Sequence, residues 1–262
     1  MIPLLLTATI NPHGMVGATF TAEERLEQYA EAVNFYLKSL PGDQSIVFAE
    51  NSGCIEEIQR RFANEPRIEW FDASQLDEGK RYDQHRGKGY NEVLLLDATV
   101  RRSRFIQEHG AFFKVTGRLR VQNLKKLLSE CQGMRFVADC KDHHVYELLR
   151  MPINGQMGEC RYWFSTLDFF TDVIAPRYME LNDSANPPYL AEDLMLDVCR
   201  KSRTMPGCKD RFRTQARISG QGGHRLGSGW SFFYSTDNDS FALRLKSVMR
   251  QLLRWVMPWW RC

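Results

Sequence analysis

A regular alternation of short apolar segments with amphipathic ones over the first 140 residues constrains the fold most. The amphipathic segments carry apolar residues at helical spacing, and a Thr21–Glu24 capping box precedes the first of them. Strands that alternate with helices of this length need right-handed crossovers, which place helices on both faces of a mostly parallel sheet. The sequence therefore predicts an α/β, Rossmann-like fold. The predicted strands are 4–10, 46–49, 68–71, 112–115 and 135–138, and the predicted helices are 26–40, 54–62, 90–106 and 124–131.

This alternation is lost after about residue 150. The chain becomes aromatic-rich and irregular around 161–170, and a further helix is predicted at 190–201. A glycine-rich segment follows at 219–229, and a last amphipathic helix begins at 241. We therefore expect a body of residues 1–240, with a first half at 1–140 and a second at 141–240, followed by a separate tail at 241–262.

Composition and charge exclude several classes of protein. With 43% hydrophobic residues, the chain can bury a sizeable core. The net charge is +3, but residues 241–262 hold five basic groups and no acidic one, so the other 240 residues carry −2. A nucleic-acid-binding face would spread over a domain, so we expect no nucleic-acid partner. Seven cysteines without a C-x-x-C pair favour a reducing cytoplasm over a disulfide framework.

Polar residues follow three of the predicted strands. Thr9 and Asn11 follow the first strand, Asn51 follows the second and Arg118 follows the fourth. Because open α/β sheets bind ligands at the carboxyl ends of their strands, these residues are expected to converge on one site. No G-x-G-x-x-G follows the first strand, which argues against a dinucleotide oxidoreductase.

A lysine between two glycines marks a second candidate site. Lys88 stands between Gly87 and Gly89 close to a predicted helix start, where free backbone N–H groups and the helix dipole favour an anion such as a phosphate. The segment is not a P-loop, because G-x-x-x-x-G-K-[ST] is absent. A solvated turn with an N-terminal cap is the alternative interpretation.

Four short motifs, in this order, resemble one family. They are Thr-Ile-Asn-Pro at 9–12, Glu-Asn-Ser-Gly at 50–53, Gly-Lys-Gly-x-x-Glu at 87–92 and Lys-x-Thr-Gly-Arg-x-x-Val-x-Asn at 114–123. Together they resemble bacterial glycosyltransferases of lipopolysaccharide, O-antigen and capsule synthesis, and the layout of residues 3–235 is similar to that of GT-A-type nucleotide-sugar transferases. The resemblance implies a GT-A-like single domain and donor binding by Thr9, Asn11, Asn51, Lys88, Glu92 and Arg118.

The second half carries the residues that the resemblance assigns to catalysis and to the acceptor. Ala-Glu-Asp at 191–193 looks like the x-Glu-Asp motif that opens a helix, which implies Asp193 as the catalytic base and Glu192 as the alternative. The loop ending at Arg161 and the late His224 are the implied acceptor or phosphate contacts. From the aromatic cluster at 162–170, Trp163 or Tyr162 is expected to reach the cleft as a sugar-stacking group. Aromatic residues at mixed spacing are also typical of a core, so a buried Trp163 is the competing interpretation.

The sequence departs from the family in its metal motif. GT-A enzymes usually carry an Asp-x-Asp where this chain has Thr116-Gly117-Arg118. The planar guanidinium of Arg118 suits bidentate phosphate contact and can stabilise a leaving diphosphate in place of a metal ion. We therefore expect no metal requirement, with Mg²⁺ or Mn²⁺ as the alternative. A metal site at Asp139, His143 and His144 is disfavoured, because adjacent side chains on a strand point to opposite faces.

The tail is predicted to be a basic amphipathic helix. Apolar residues from Phe241 to Trp259 share one face, and Lys246, Arg250 and Arg254 line another. Such a helix with terminal tryptophans is typical of an interfacial anchor on an anionic membrane, and a helix docked on the body is the alternative. Residues 2–10 lack the features of a signal peptide. We expect a peripheral protein on the cytoplasmic face of the inner membrane.

These observations lead to one leading functional hypothesis. The chain is predicted to be a hexosyltransferase-type enzyme that moves a sugar, with inversion, from a nucleotide-sugar donor, UDP-sugar first, to a lipid-linked glycan acceptor. The main alternative is a non-catalytic, membrane-associated module that binds nucleotide or glycan. An RNA-binding protein is a further alternative, and the −2 charge of the first 240 residues argues against it.

Overall fold

The computed structural model describes residues 1–13, 20–74, 82–83, 85–148, 150, 154–225, 231–234 and 241–257. The strands are β1 Leu4–Ala8, β2 Ile46–Glu50, β3 Ile68–Asp72, β4 Ala111–Thr116, β5 Arg120–Val121, β6 Phe136–Asp142, β7 Gln156–Thr166, β8 Cys208–Lys209, β9 Ile218–Arg225 and β10 Ser231–Tyr234. The α-helices are α1 Ala22–Ser39, α2 Ile55–Arg61, α3 Lys88–Arg102, α4 Arg104–His109, α5 Leu124–Glu130, α6 Val145–Leu148, α7 Leu167–Phe169, α8 Ala191–Ser202 and α9 Phe241–Val256. A π-helical segment at Phe170–Ile174 and a 3-10 segment at Ala175–Glu180 complete the regular structure described.

One seven-stranded sheet organises the molecule. Its order is β3-β2-β1-β4-β7-β6-β8, and β7 alone runs antiparallel to its neighbours. Strands from both predicted halves, 1–140 and 141–240, therefore belong to the same sheet. Side chains alternate along β1, so that Leu4 and Leu6 join one core and Leu5 joins the other. Helices α1, α2 and α5 cover the first core and α3, α4 and α8 the second. The prediction of a mostly parallel α/β sheet with helices on both faces is confirmed.

The predicted start of α1 is also confirmed. The Thr21 hydroxyl accepts a hydrogen bond from Glu24 N at 3.2 Å, and Thr21 N donates to Glu24 Oε2 at 2.8 Å. This reciprocal pair satisfies two of the backbone donors that every helix start leaves open. At the other end, Pro41 follows the C-cap Leu40, where a helix commonly stops.

The single helix predicted at 90–106 is two helices. Ser103 separates α3 from α4, and its hydroxyl accepts from Ile106 N at 3.3 Å while donating to Glu69 Oε2 at 2.6 Å. A serine that can cap a new helix competes with continuation of the old one. Apolar spacing runs on through the break, so periodicity by itself could not reveal it.

The prediction of irregular chain around 161–170 is wrong for β7. This strand lies between β4 and β6 with both faces covered, so the consecutive side chains of Tyr162, Trp163 and Phe164 are all buried. A strand buried on both faces shows no polar–apolar alternation. The usual strand signal was therefore absent from the sequence.

Gly158 allows α8 to pack directly on β7. A Cβ at this position would lie 2.5 Å from the backbone of Met195 and Leu196. We expect Gly158→Ala to lower the free energy of unfolding by about 1–3 kcal/mol, because backbone cannot yield as a flexible side chain does. Gly42→Ala is the matched control, since a Cβ there meets nothing within 4 Å. Urea denaturation of both variants checks this, and equal stabilities would contradict it.

Candidate functional site

The strand order changes direction between β1 and β4. From β1 the chain adds β2 and β3 on one side and then returns to place β4 on the other. The crevice at the carboxyl ends of two such strands is where open α/β sheets bind ligands. Gly117, just after β4, donates its N–H to Thr7 O at 2.9 Å, and a Cβ there would lie 2.7 Å from that oxygen. This close approach brings the following residue, Arg118, beside the end of β1.

The structure brings together the three predicted residues that follow β1 and β2. The Thr9 hydroxyl donates to Asn51 Oδ1 at 2.7 Å, and Asn11 N donates to the Ser52 hydroxyl at 2.8 Å. The fully buried carboxylate of Glu50 organises this pair of loops and accepts from Ser52 N at 2.8 Å. The two loops therefore form one wall of the crevice.

Three cations are close neighbours at this sheet edge. Lys88 is the first residue of α3, and the charges of Arg118 and Arg25 both act on it. Burial, Arg118 and Arg25 together lower the pKa of Lys88 to about 8, against the opposing charges of Asp183 and Glu192. Cationic side chains at strand ends and at a helix start attract anions, so the cluster is suited to a phosphate or diphosphate.

Arg25 belongs to this site although sequence reasoning missed it. It lies on α1 beside the apolar face, is almost completely buried, and donates from Nε to Thr9 O at 2.7 Å. Its second contact is from Nη2 to the Tyr29 hydroxyl at 3.4 Å, one helical turn further on. An arginine next to Leu26 on the helix that follows β1 was the available signal, but it also fits an ordinary solvated position.

The helix N-terminus at Lys88 differs from the expectation. One of the backbone N–H groups expected to be free is bound there, because Lys88 N donates to Asp183 Oδ2 at 2.9 Å. Gly87 adopts φ +92°, and a Cβ on it would lie 2.2 Å from the Asp183 side chain, so glycine is required at this cap. Lys88 therefore contributes its side chain to the cationic cluster, while its N–H binds Asp183, which no sequence signal had indicated.

Glu192 is a carboxylate close to the cations, and its surroundings shift its pKa. It opens α8, whose start packs on the start of α3, where a Cβ on Gly89 would lie 3.0 Å from Ala191 Cβ. Burial and the neighbouring charges of Glu92, Glu159 and Asp183 raise the pKa of Glu192, against a backbone hydrogen bond that lowers it. A raised pKa suits a group that must accept a proton.

Asp193 is engaged in capping α8. Its Oδ2 accepts from Leu190 N at 2.9 Å, so it stabilises the helix that carries Glu192. The resemblance had put Asp193 first and Glu192 second as catalytic base. A carboxylate bound to its own helix start is less free to receive a substrate proton, which makes Glu192 the first candidate to test and Asp193 the second.

Glu92, predicted to bind the donor, has partners inside the protein. Its Oε1 accepts from the Thr7 hydroxyl at 2.7 Å and lies 2.7 Å from Lys114 Nζ. Lys114 is fully buried in β4 and also donates to Cys160 O on β7 at 2.6 Å. This lysine opens the motif at 114–123, and with Glu92 it ties α3, β4 and β7 together.

Arg161 lies on the second side of the site, paired with Glu159. Its Nε donates to Glu159 Oε1 at 2.7 Å, and its Nη2 binds the other carboxylate oxygen. Both line a cavity of about 170 Å³, together with Asp139, Tyr162, Gln215 and Arg254. The charge of Glu159 also acts on Glu192.

Trp163 does not reach the cavity, which corrects the acceptor prediction. It is buried in the core, edge-on to Phe112 at 5.4 Å and stacked on Phe170 at 6.1 Å between ring centroids. Tyr162 is buried too, and its hydroxyl donates to Asp139 Oδ2 at 2.6 Å. His224 lies on β9, and its side chain is outside the described residues.

No metal site is present in the part of the chain that the structure describes: no three His, Cys, Asp or Glu side chains there are arranged to hold an ion. At the alternative site considered from the sequence, Asp139 is bound by Arg254 and Tyr162, and His144 lies 3.1 Å from Glu147.

Comparison with known proteins adds similarities of fold only. No protein-family model and no curated protein sequence matches the chain. Three solved structures are similar: the WbbM bifunctional glycosyltransferase (TM-score 0.49, 10% identity, 96% of this chain), mouse xyloside xylosyltransferase 1 (0.44, 11%, 79%) and an active-site mutant of LgtC (0.47, 11%, 79%). The matched regions cover 44%, 83% and 72% of those chains, respectively, so this chain spans less than half of WbbM.

Proposed function

We propose that this protein is a glycosyltransferase that binds a nucleotide-sugar donor in the crevice between β1 and β4. The observation that carries the proposal is the convergence of Lys88, Arg118 and Arg25 beside Glu192 at the strand ends. Sugar transfer needs two components. One is a set of positive groups that stabilises the leaving diphosphate, and the other is a carboxylate of raised pKa that takes the acceptor proton. The motif order shared with lipopolysaccharide, O-antigen and capsule glycosyltransferases supports the same activity.

The proposed reaction is a single displacement. Glu192 takes the proton of an acceptor hydroxyl, and the acceptor oxygen forms a bond to the anomeric carbon as the bond between that carbon and the diphosphate oxygen breaks. The electron pair leaves with the nucleoside diphosphate, whose added negative charge lies among Lys88, Arg118 and Arg25. One displacement inverts the anomeric centre, so a product with the anomeric configuration of the donor would refute this mechanism.

The acceptor is proposed to enter through the cavity lined by Glu159 and Arg161. A lipid-linked glycan would meet there a carboxylate and a guanidinium, which hydrogen-bond hydroxyl groups well. The basic tail supports the further proposal that the reaction takes place on the cytoplasmic face of the inner membrane, with a UDP-sugar as the first donor to test.

A panel of nucleoside diphosphates and nucleotide sugars, with and without Mn²⁺, tests the proposal. We expect one nucleoside diphosphate to raise the melting temperature, because a ligand that binds only the folded state stabilises it. Release of that diphosphate from the sugar nucleotide in the presence of acceptor then measures transfer. Binding without turnover on any glycan would favour the non-catalytic binding module instead.

The affinity for the nucleoside diphosphate is expected to fall as the pH rises through about 8. Lys88 is a cation below its pKa of about 8 and neutral above it, so each further pH unit weakens binding up to about tenfold. Lys88→Arg keeps its charge throughout this range and should remove most of the dependence. Calorimetric titration over this pH range measures both proteins. Equal pH slopes for the two would contradict a role for Lys88 in phosphate binding.

A further inference from the structure

The tail helix α9 docks on the body through polar side chains. Arg254 donates from Nη1 to Asp139 Oδ1 at 2.9 Å and to Phe212 O at 2.7 Å, and from Nη2 to Asp139 Oδ2 at 3.0 Å. One turn earlier, Gln251 donates to Arg213 O at 2.8 Å and accepts from Gln215 N at 2.9 Å. Arg254, expected on the basic face of an interfacial helix, is therefore turned toward the body.

The opposite side of α9 leaves five large apolar side chains in solvent, which we call the outer face. Their exposed fractions are 55% for Val248, 50% for Met249, 42% for Leu252, 61% for Trp255 and 70% for Val256. At 3.6 residues per turn they fall within an arc of about 120°. They are five of the nine exposed large hydrophobic residues in the described part of the chain. Such a contiguous apolar surface is typical of an interaction site.

The charges of the tail indicate what covers the outer face. Besides Arg254, residues 241–262 contain four basic residues and no acidic one; they are Arg244, Lys246, Arg250 and Arg261. An apolar helix face with basic residues and a tryptophan suits an anionic bilayer surface, where each cation near the surface adds to the attraction. A second copy docked by the same face would oppose like charges instead. No helix in the described ranges is long and apolar enough to cross a bilayer.

We infer that the outer face of α9 inserts into the headgroup region of an anionic membrane, while Arg254 and Gln251 hold the helix rigidly to the body. The inference rests on the proposed function, because membrane insertion serves sugar transfer when the acceptor is lipid-linked. Arg254 lines the same cavity as Glu159 and Arg161, so insertion of the outer face brings that cavity close to the lipid surface. A loose tether would leave the orientation of the cavity undefined.

Sedimentation with vesicles tests the inference. The double variant Leu252→Ser/Trp255→Ser is compared with Met179→Ser/Met205→Ser, which removes two exposed methionines from other surfaces. Vesicles contain equal parts phosphatidylcholine and phosphatidylglycerol, or phosphatidylcholine alone. We expect the unchanged protein to bind the anionic vesicles preferentially, the α9 variant to lose binding by roughly tenfold or more, and the control variant to keep it.

Two results would overturn the inference. One is equal binding of the α9 variant and the unchanged protein to anionic vesicles. The other is an unchanged protein that light scattering shows to be a dimer and an α9 variant that is a monomer, since a second copy would then cover the outer face. Nucleoside-diphosphate binding and turnover of a soluble acceptor, measured on the same variants, report on the proposed function separately. A protein that transfers sugar but does not bind vesicles would contradict only the membrane inference.

Discussion

Replacing Glu192 with glutamine is expected to lower kcat by about 10²- to 10⁴-fold, the usual contribution of a general base. Glutamine cannot take the acceptor proton, which explains the lower kcat. Because glutamine is close to glutamate in size, the affinity for the donor should change little. Burial and three neighbouring carboxylates raise the pKa of Glu192, and the base form exists only above that pKa. The acidic limb of kcat against pH should therefore lie above the ordinary glutamate value of about 4.3.

Asp193→Asn is the matched control for this prediction. An asparagine oxygen can still accept from Leu190 N, so α8 keeps its cap and the loss of turnover should be far smaller than in Glu192→Gln. Steady-state kinetics and donor binding are measured on both variants. If Asp193→Asn abolishes turnover while Glu192→Gln retains it, the base is Asp193, as the family resemblance implied.

Arg254→Met is expected to lower the free energy of unfolding by about 3–5 kcal/mol. Burial by itself would raise the pKa of Asp139, but Arg254 and hydrogen bonds from Tyr162 and Phe212 N outweigh it and hold that pKa below its usual value. Without Arg254 a buried carboxylate loses its cation. Because the pKa of Asp139 is lower in the folded state, the pair stabilises the protein above the unfolded-state pKa of about 3.9. This stabilisation is lost as the pH falls through the lower folded-state pKa.

Two controls make this stability prediction specific. The double variant Asp139→Asn/Arg254→Met buries no charge and should recover part of the loss. Arg101→Ala removes an i,i+4 ion pair with Asp97, 2.8 Å long, whose arginine is 55% exposed, and should change stability by less than about 1 kcal/mol. Urea unfolding of the full chain measures all three. An Arg254→Met protein as stable as Arg101→Ala would show that the tail is a loose appendage.

The same ion pair changes what removal of the tail should do. From the sequence, residues 241–262 look like a separate anchor whose loss would spare the body. With Arg254 on Asp139 and Gln251 on Arg213 and Gln215, truncation strips contacts from the cavity wall. Point variants of the outer face are therefore the cleaner test of membrane binding, because they leave these contacts in place. Trp259, Trp260 and Arg261 lie outside the described residues.

Much of the first half could be predicted because its signals are local. Each strand from β1 to β4 is an apolar run bounded by turn residues, and the α1 cap needs only Thr21 and Glu24. The two failures have different causes. Ser103 starts a new helix inside an unbroken apolar pattern, so the spacing of apolar residues does not reveal it. β7 is covered on both faces, which removes the polar–apolar alternation that marks a strand.

The sequence by itself determined the α/β alternation, the loops expected at the strand ends and the basic, amphipathic nature of the tail, since each depends on neighbours in the chain. Only the tertiary structure decided which charges meet. It adds Arg25 to Lys88 and Arg118 and turns Arg254 toward Asp139, 115 residues away. Burial and Coulomb interactions depend on distance in space, so the surroundings of an ionisable side chain are fixed only when the sheet has placed its neighbours.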